Sequence, residues 1–257
     1  CWPIKTFGTE AQKQRYLPAL AQGRMLGAYS LTEPNAGSDA AGIESRAVRD
    51  GDDYILNGRK LFVSNGSVAD VVIVFASTDR TARARGISAF LVERGTPGFT
   101  PGKPLRKLGM HGSPTAELVL EDVRVPVTNR LGEEGQGFRI AMQVLELARI
   151  LVGAQSTGIA QAALDAALDY AAQREQFGKP IAEFQAVAWM LADMQVHIHA
   201  SRLMTYEAAR LYDAGSPTTL AASCAKLFGS ETAMMAADRA IQIHGGYGYT
   251  EDFPVER

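Results

Sequence analysis

The sequence lacks several features that would assign it to a broad class of protein. Only two cysteines, Cys1 and Cys224, occur in 257 residues, which argues against a disulfide-held scaffold and favours a reducing compartment. No run of about 18 apolar residues is present, so no membrane-spanning helix is predicted. Neither sign of charge dominates, since the net charge is −2, and this disfavours nucleic acid as a main partner.

Several catalytic and metal-binding signatures are also missing. The chain has no G-x-S-x-G nucleophile motif, no G-x-x-x-x-G-K-(S/T) phosphate loop, no H-E-x-x-H and no paired C-x-x-C. His197 and His199 are two residues apart, so on a helix they point to different sides and make a poor metal pair. We therefore expect no metal site, and we expect the isolated His111 and His244 to be structural.

Neither end of the sequence resembles a natural terminus. The opening "CWPIKTFGTEAQKQRYLP" has no basic segment followed by an apolar one, so it is not a signal peptide. The other end, "GYTEDFPVER", stops without a cap or a tail. We expect both ends to be cut, which leaves open a targeting segment upstream.

The residues that are present divide into three zones, 1–27, 28–130 and 131–257. Hydrophobic residues make up 46% of the chain, enough for a real core. The first zone is a short helical piece, with a helix start at Thr9 and Glu10 and a stop at Gly23.

The second zone alternates apolar and polar residues in about seven strands. Asp50-Gly51 and Asn57-Gly58 divide such runs, which is the strongest short-range signal for a hairpin. Turns recur every 8–12 residues, a spacing typical of all-β domains. We therefore predict a compact antiparallel β-barrel or sandwich in the middle of the chain.

The third zone predicts three long helices, because its larger apolar residues recur three and four positions apart. The second helix is expected to end at Gly215, and Thr218 or Thr219 to cap the third. Up-down bundles usually contain four helices, so three leave an apolar seam exposed. We expect a multidomain α+β fold in which an incomplete up-down four-helix bundle follows the β-domain and is completed beyond Arg257.

Four stretches could carry chemistry, and each also has a plainer explanation. "TEPNAGSD" (32–39) could cradle an anion, because Gly37 permits positive φ and Ser38 adds a hydroxyl, or it could be an ordinary turn. "GRKLFVSNG" (58–66) places an aromatic residue beside a hydroxyl. The two side chains could bind a planar ring, or the Phe could be a core residue next to a turn.

The other two stretches follow predicted helices. "AQREQFGKPIAEFQ" (172–185) puts Arg174 at a helix end, as a binding cation or as ordinary dipole compensation. "IQIHGGYGYTEDFP" (241–254) puts two glycines after a helix, as part of a site or as a C-cap. It follows no strand, so it is not the dinucleotide-binding fingerprint.

In order, seven stretches resemble blocks of the acyl-CoA dehydrogenase family, and the resemblance covers essentially the whole chain. They are "FGTEAQKQRYLP", "YSLTEPNAGSDA", "NGRKLFVSNG", "KLGMHGSPTAELVLEDVRVP", "GEEGQGFRIAM", "REQFGKPIAEFQ" and "IQIHGGYGYTEDFPVER". The resemblance implies an N-terminal helical domain, of which 1–27 is the end, a middle β-domain and a helical-bundle domain. It also implies FAD as the cofactor.

The resemblance implies α,β-dehydrogenation of an acyl-CoA thioester. In the family a carboxylate removes the α-proton, the β-hydrogen leaves as hydride to flavin N5, and the electrons pass to an electron-transfer flavoprotein. The thioester carbonyl must be held by hydrogen bonds that stabilise enolate charge, each worth about 2.7–4 kcal/mol. FAD sites shared between subunits imply a homotetramer, a dimer of dimers.

By motif position, the resemblance implies two sets of binding residues. The flavin and pyrophosphate would be met by Tyr29, Leu31, Thr32, Gly37, Ser38, Phe62, Val63 and Ser64, with Ser64 near N5. The adenosine side would be met, from a neighbouring subunit, by Arg174, Phe177, Gln185, Gln242, Gly245 and Gly246. Ser38 and Arg149 would contact the CoA portion.

Two positions depart from the usual family pattern. Ser30 stands where Ala, Cys or Gly is usual, and "FVS" (62–64) stands where Trp-Ile-Thr is usual. Both changes are conservative, although the second affects the residues expected to tune the flavin.

No catalytic base is assigned within the chain. Most family members place the Glu shortly after a block like "FPVER", so we expect it beyond Arg257. Some place it on the first long helix, where the matching residue here is Ala148. Glu146 is two residues away and would face another side of that helix.

Two alternatives to the dehydrogenase remain open. One is an oxidase or flavin monooxygenase of the same fold, and the other is a flavin- or acyl-CoA-binding paralogue without activity. The sequence does not define acyl chain length or branching. We expect a cytoplasmic location in a bacterium, or the mitochondrial matrix in a eukaryote.

Overall fold

The computed structural model describes all 257 residues and divides them into two compact units, Cys1–Val144 and Leu145–Arg257. None of the helices is both long enough and apolar enough to cross a membrane. The three-zone division with boundaries after residues 27 and 130 stays a prediction.

The first unit opens with two short helices, α1 (Trp2–Phe7) and α2 (Glu10–Ala21). Helix α2 begins as predicted, because Thr9 and Gln12 each bond the other's backbone N–H in a capping box. The Gln12 amide also donates to the carbonyls of Thr128 and Arg130, at 2.8 and 2.9 Å. Helix α2 is therefore hydrogen-bonded to the chain segment that leads from β7 into β8.

Eight strands form one sheet, which confirms a central β-domain and adds a short strand to the predicted seven. Their order is β6-β7-β3-β2-β4-β5-β8, with β1 paired to β4. The pairing is antiparallel except that β1 and β2 run parallel to β4. The bounds are β1 Gly27–Ser30, β2 Arg46–Asp50, β3 Asp53–Ser64, β4 Val71–Ser77, β5 Ile87–Glu93, β6 Phe99–Pro101, β7 Thr115–Pro126 and β8 Arg130–Leu131.

One predicted hairpin turn is confirmed and the other is wrong. Gly51, at φ +62°, turns the chain between β2 and β3. Asn57-Gly58 instead lies inside β3, where the pairing with β7 shifts register. The Asn57 side chain exchanges two 2.9 Å hydrogen bonds with Asp122 on β7, so a long-range contact turns this pair into a bulge.

The second unit contains the three predicted long helices, α3 (Gly137–Gln173, which begins in the first unit), α4 (Gln185–Asp213) and α5 (Thr219–His244). A small hairpin, β9 (Glu175–Gln176) and β10 (Lys179–Pro180), connects α3 to α4. Helices α3 and α5 approach closely, since a Cβ on Gly229 would lie 3.3 Å from the Gly153 carbonyl oxygen. Large apolar side chains stay exposed on all three helices, among them Leu151, Trp189, Val196, Leu227 and Met234.

Thr218 occupies the N-cap position of α5, as one of the two predicted caps. Its side chain makes no capping bond to the helix backbone. Its hydroxyl donates instead to Glu146 on α3. Gly215, at φ +66°, follows the end of α4 as predicted.

Candidate functional site

A cavity of about 600 Å³ lies in the first unit beside the ends of β1 and β3. Apolar residues of α1, α2 and β1 form much of its wall. Among the predicted binding residues, the wall includes Tyr29, Leu31, Thr32, Phe62 and Ser64.

Phe62 and Ser64 reach this wall because β3 is irregular at its end. The pairing of β3 with β7 shifts between Lys60 and Val63, and Phe62 has φ +54°. A positive φ is uncommon for a bulky residue and marks a backbone held by its surroundings. The Phe62 side chain is 65% exposed, whereas Val63 is buried in the β-core. The bulge therefore turns Phe62 outward and leaves Val63 out of the cavity wall.

Tyr29 lines the same wall and carries a buried polar atom with no partner. Its hydroxyl has no hydrogen bond, and its ring packs edge-on against Phe75 with 5.0 Å between centroids. Burial raises the pKa of the phenol above its ordinary value. The oxygen is closed to water-sized groups, so it lies behind the cavity wall and not on its surface.

Gly37 and Ser38 do not line this cavity; both are exposed in the loop that follows Thr32. The φ of Gly37 is not positive, so the loop does not use the backbone freedom that glycine permits at this position. The loop is closed by reciprocal hydrogen bonds between the backbones of Glu33 and Ala36. A Cβ added at Gly37 would meet no atom within 4 Å, so the chain's own packing does not require glycine there.

The residue-by-residue interpretation missed the ion pair that underlies this wall. The Lys60 ammonium lies 2.6 Å from a Glu33 carboxylate oxygen, with side-chain exposures of 0% and 2%. Burial lowers the pKa of Lys60, and Glu33 opposes that shift. The signal was present in the sequence, because counting by two along β3 from Tyr54 and Leu56 places Lys60 on the buried face.

The second unit holds a separate cleft of about 510 Å³ at the end of α5. Arg174, Gly245 and Gly246 line it, together with His244, which is stacked on Tyr170 at 4.2 Å between ring centroids. Gly245 adopts φ +60° and ends α5. The cleft thus combines a stacked aromatic pair, the glycine turn that ends α5, and the cation of Arg174.

Three predicted adenosine-side residues lie outside the lining of this cleft. Phe177 is 95% exposed at the tip of the β9–β10 hairpin, with φ +51°. Gln185 is the first residue of α4, and Gln242 lies near the end of α5; both are exposed.

On α3, the predicted CoA ligand Arg149 is partly exposed and has no acidic side chain within 4 Å. Glu146 is engaged elsewhere, since it accepts hydrogen bonds from Thr218 and Thr219 at 2.7 and 2.8 Å. These bonds, followed by the charge of Arg149, hold the pKa of Glu146 below its ordinary value. A carboxylate held ionised in this way is a weak proton acceptor.

Family models for the N-terminal, middle and C-terminal domains of acyl-CoA dehydrogenase match residues 1–24, 28–123 and 135–257. The short-chain specific acyl-CoA dehydrogenase of Clostridium acetobutylicum is 51% identical over 254 residues, which is 99% of this chain and 67% of that protein. The chain belongs to the acyl-CoA dehydrogenase family. An acryloyl-CoA reductase (NADH) of Anaerotignum propionicum is 50% identical over 99% of this chain and 65% of its own length.

Solved structures agree with this acyl-CoA dehydrogenase fold. Butyryl-CoA dehydrogenase from Megasphaera elsdenii matches with a TM-score of 0.97 and 52% identity, over 99% of this chain and 67% of that chain. A chain from the structure of the electron transferring flavoprotein of Acidaminococcus fermentans matches with a TM-score of 0.98 and 52% identity, over 100% and 67%. The FAD complex of PigA matches with a TM-score of 0.95 and 35% identity, over 100% and 67%.

Membership in the family confirms the resemblance predicted from the motifs, and FAD is the cofactor of these enzymes. The cavity of the first unit fits an isoalloxazine ring in two respects. It is lined by the outward-turned aromatic residue Phe62 and by the hydroxyl-bearing residues Thr32 and Ser64. A mostly apolar wall with a few converging polar groups is the usual composition of a cofactor site.

Proposed function

We propose that this acyl-CoA dehydrogenase oxidises a short acyl-CoA thioester to the 2-enoyl-CoA and passes the electrons to an electron-transfer flavoprotein. The observation that carries the proposal is the cavity wall on which Phe62, Ser64 and Thr32 converge from two chain segments. The 51% identity to a short-chain specific dehydrogenase supports the substrate class.

When bound, FAD supplies the two-electron acceptor for the hydrogen that leaves the β-carbon. Phe62 offers an aromatic face for stacking, which favours one ring orientation. The hydroxyls of Thr32 and Ser64 would donate to polar atoms at the ring edge, Ser64 near N5. Tyr29 and Leu31 would support the ring from the cavity wall, whereas Val63, buried behind that wall, would support it through its neighbours. Gly37 and Ser38 would leave the backbone open to the pyrophosphate. The apolar helices at the other side of the cavity exclude water from the reacting carbons.

The cleft of the second unit is proposed to bind the adenosine side of an FAD held by a neighbouring subunit. The guanidinium of Arg174 suits a diphosphate, because its planar N–H donors can bond two oxygens at once. Phe177 and Gln185, on the exposed hairpin and the start of α4, would extend this surface with Gln242, Gly245 and Gly246. The protein would then act as a homotetramer, a dimer of dimers.

Ser38 and Arg149 are proposed to hold the CoA portion, Arg149 through a guanidinium that has no carboxylate oxygen within 4 Å. None of the residues that line the cavity carries a carboxylate. We therefore place the α-proton acceptor on a Glu beyond Arg257, and the relatives are about half as long again as this chain.

The opposite direction, reduction of a 2-enoyl-CoA, is a second candidate. It is favoured by the acryloyl-CoA reductase, which is 50% identical over nearly all of this chain. The two directions use the same cavity and differ in the redox partner. We place either reaction in the bacterial cytoplasm, or in the mitochondrial matrix of a eukaryote, where the two free cysteines stay reduced.

Anaerobic mixing of butyryl-CoA with the holoenzyme, its chain extending through the Glu proposed beyond Arg257, tests the proposal. The visible absorption of oxidised flavin should be lost, and it should return when electron-transfer flavoprotein is added. Return upon admission of air alone would indicate an oxidase. Loss of absorption with NADH and acryloyl-CoA turnover would favour the reductase, and flavin that no acyl-CoA reduces would indicate a binding paralogue.

A further inference from the structure

The ion pair of Lys60 and Glu33 differs from every other ion pair of the chain. Its two side chains are 0% and 2% exposed, whereas each other pair has at least one largely exposed partner. A buried pair is weak evidence for stability, because removing two charges from water offsets much of their attraction. The contribution of this pair therefore lies in the conformation that it fixes.

The pair joins two segments that form the cavity wall. The Lys60 ammonium donates to Glu33 at 2.6 Å and to the carbonyl oxygen of Leu31 at 3.3 Å. Next to it, the Leu61 N–H donates to the Thr32 carbonyl oxygen at 2.9 Å. Leu31 and Thr32 line the cavity from one segment, and Leu61 lines it from the other.

Glu33 also fixes a third segment. Its carboxylate accepts hydrogen bonds from the backbone N–H groups of Glu44 and Ser45. The Glu33 carboxylate thereby holds together the two ends of the glycine-containing loop, which begins at Glu33 and ends at Ser45. The carboxylate is satisfied by these donors and by Lys60, which is the condition under which a charge is tolerated in a core.

The conformation that needs support is the one at Phe62. Between Lys60 and Val63, strand β3 leaves its register with β7, and Phe62 takes φ +54°. The missing ladder pairing is replaced on one side by the Leu61–Thr32 bond. Backbone in a sparsely populated region persists only where neighbouring structure holds it.

We propose that the buried Lys60–Glu33 pair is a positioning device that fixes the Leu31–Thr32 and Leu61–Ser64 segments in the geometry that receives the flavin ring. The inference rests on the proposed placement of the ring against Phe62 and Ser64. Both residues of the pair act through the backbone and through neighbours, without touching the cofactor.

The test compares two double variants of the holoenzyme. Lys60→Met with Glu33→Gln removes the buried charges and keeps similar volumes. Arg59→Met with Glu117→Gln is the matched control, since this 2.8 Å pair also involves a residue of β3, joining it to β7, but is partly exposed and lies outside the cavity wall. Visible absorption, flavin midpoint potential, FAD affinity of the apoprotein and its thermal midpoint are measured for both.

The Lys60/Glu33 variant should shift the flavin absorption bands and midpoint potential, and lower the rate of flavin reduction by butyryl-CoA by about tenfold to a hundredfold, because small misplacements are costly in a preorganised site. The control should keep the wild-type spectrum and potential at a comparable thermal midpoint. If the double variant does not fold, Glu33→Asp, which keeps both charges and withdraws the carboxylate by one methylene group, should show the same shifts in smaller measure.

Wild-type spectrum, potential and FAD affinity in the folded Lys60/Glu33 variant would overturn the inference. Phe62→Ala separates this failure from failure of the proposed flavin site. If Phe62→Ala weakens FAD binding and the charge variant does not, only the ion-pair inference is wrong. If neither variant affects the flavin, the ring does not lie on this wall and both are wrong.

Discussion

Glu146 accepts a 2.7 Å hydrogen bond from the hydroxyl of Thr218 and so connects α3 to the N-cap residue of α5. Thr219 donates to the same oxygen at 2.8 Å. The carboxylate also lies at the N-terminus of α5, where the helix dipole favours negative charge. Glu146 is therefore a structural residue of the helical unit.

Replacing Glu146 with Gln should lower the free energy of unfolding at neutral pH by about 1 kcal/mol, the usual worth of hydrogen bonds to a charged group after solvent screening. The folded-state pKa of Glu146 lies below its ordinary value. The stabilisation is thus fully present above the unfolded pKa, and it is lost as the pH falls through the folded pKa.

Urea unfolding of the wild type and Glu146→Gln at pH 7 and at acid pH checks this. The difference between the two proteins should shrink on acidification. Glu231→Gln, an exposed acid on α5 with no hydrogen bond, is the control and should show no difference at either pH. Glu146→Gln should reduce its flavin with butyryl-CoA at close to the wild-type rate, and a collapse of that rate would make Glu146 a catalytic residue after all.

Gly58→Ala should strongly destabilise the β-domain. The new Cβ would lie 2.2 Å from the Ser45 hydroxyl and 2.7 Å from the Ser45 Cα, and the residue has φ +152°. Because backbone cannot yield as a side chain does, we expect a loss of about 3 kcal/mol or more. Thermal unfolding measures it against Gly112→Ala, where the added Cβ meets nothing.

Adding Ser45→Gly to Gly58→Ala should restore part of the loss, since it removes two of the three clashing atoms. A Gly58→Ala protein as stable as the Gly112→Ala control would show that the bulge does not have the geometry described.

The two Xaa-Gly turn signals of the β-domain, at residues 50–51 and 57–58, show what the sequence could and could not predict. Asp50-Gly51 is a turn because its local preference agrees with the pairing of β2 and β3, which places Asp50 opposite Asp53. Asn57-Gly58 has the same preference, but Asp122, 65 residues away, takes the Asn57 side chain and extends the strand. The helices and the β-domain were predictable from periodicity, which is local.

The wall of the cavity depends on long-range contacts in the same way. The motifs identified Thr32, Phe62 and Ser64, and the structure brings these residues to one cavity. Lys60 and Glu33, 27 residues apart, were missed because a charged residue in a strand is usually assigned to the exposed face. Alternation along β3 places Lys60 on the buried face, but only the position of Glu33 shows that this lysine is paired.

Gly37→Val should weaken FAD binding without altering stability. The position is exposed, its φ is not positive, and an added Cβ meets no protein atom within 4 Å. Any effect must therefore come from a ligand that approaches the backbone. We expect the FAD dissociation constant to rise by about tenfold, equivalent to about 1.4 kcal/mol.

Reconstitution of the apoprotein with FAD, followed by flavin fluorescence, gives the dissociation constant. Gly109→Val is the matched control, because it is also exposed, with φ outside the positive region and open space at Cβ. Equal affinities in the two variants would mean that the pyrophosphate does not pass over Gly37.

Arg174→Ala tests the cleft of the second unit. Arg174 is exposed, lines the cleft beside Gly245 and Gly246, and forms no ion pair that would have to be broken. Hydrogen bonds to a charged group contribute about 1.5–3 kcal/mol, so FAD affinity should fall by roughly tenfold to a hundredfold. The loss should diminish as salt rises, because salt screens the interaction between an exposed cation and a diphosphate.

FAD titrations at low and high salt distinguish a direct contact from an indirect one. Lys226→Ala removes an exposed cation of the same unit outside the cleft and should leave the affinity unchanged. Arg174→Lys should recover part of the affinity, since it restores the charge but not the paired donors. An Arg174→Ala protein that binds FAD like the Lys226→Ala control at low salt would exclude this cleft as the diphosphate-facing surface.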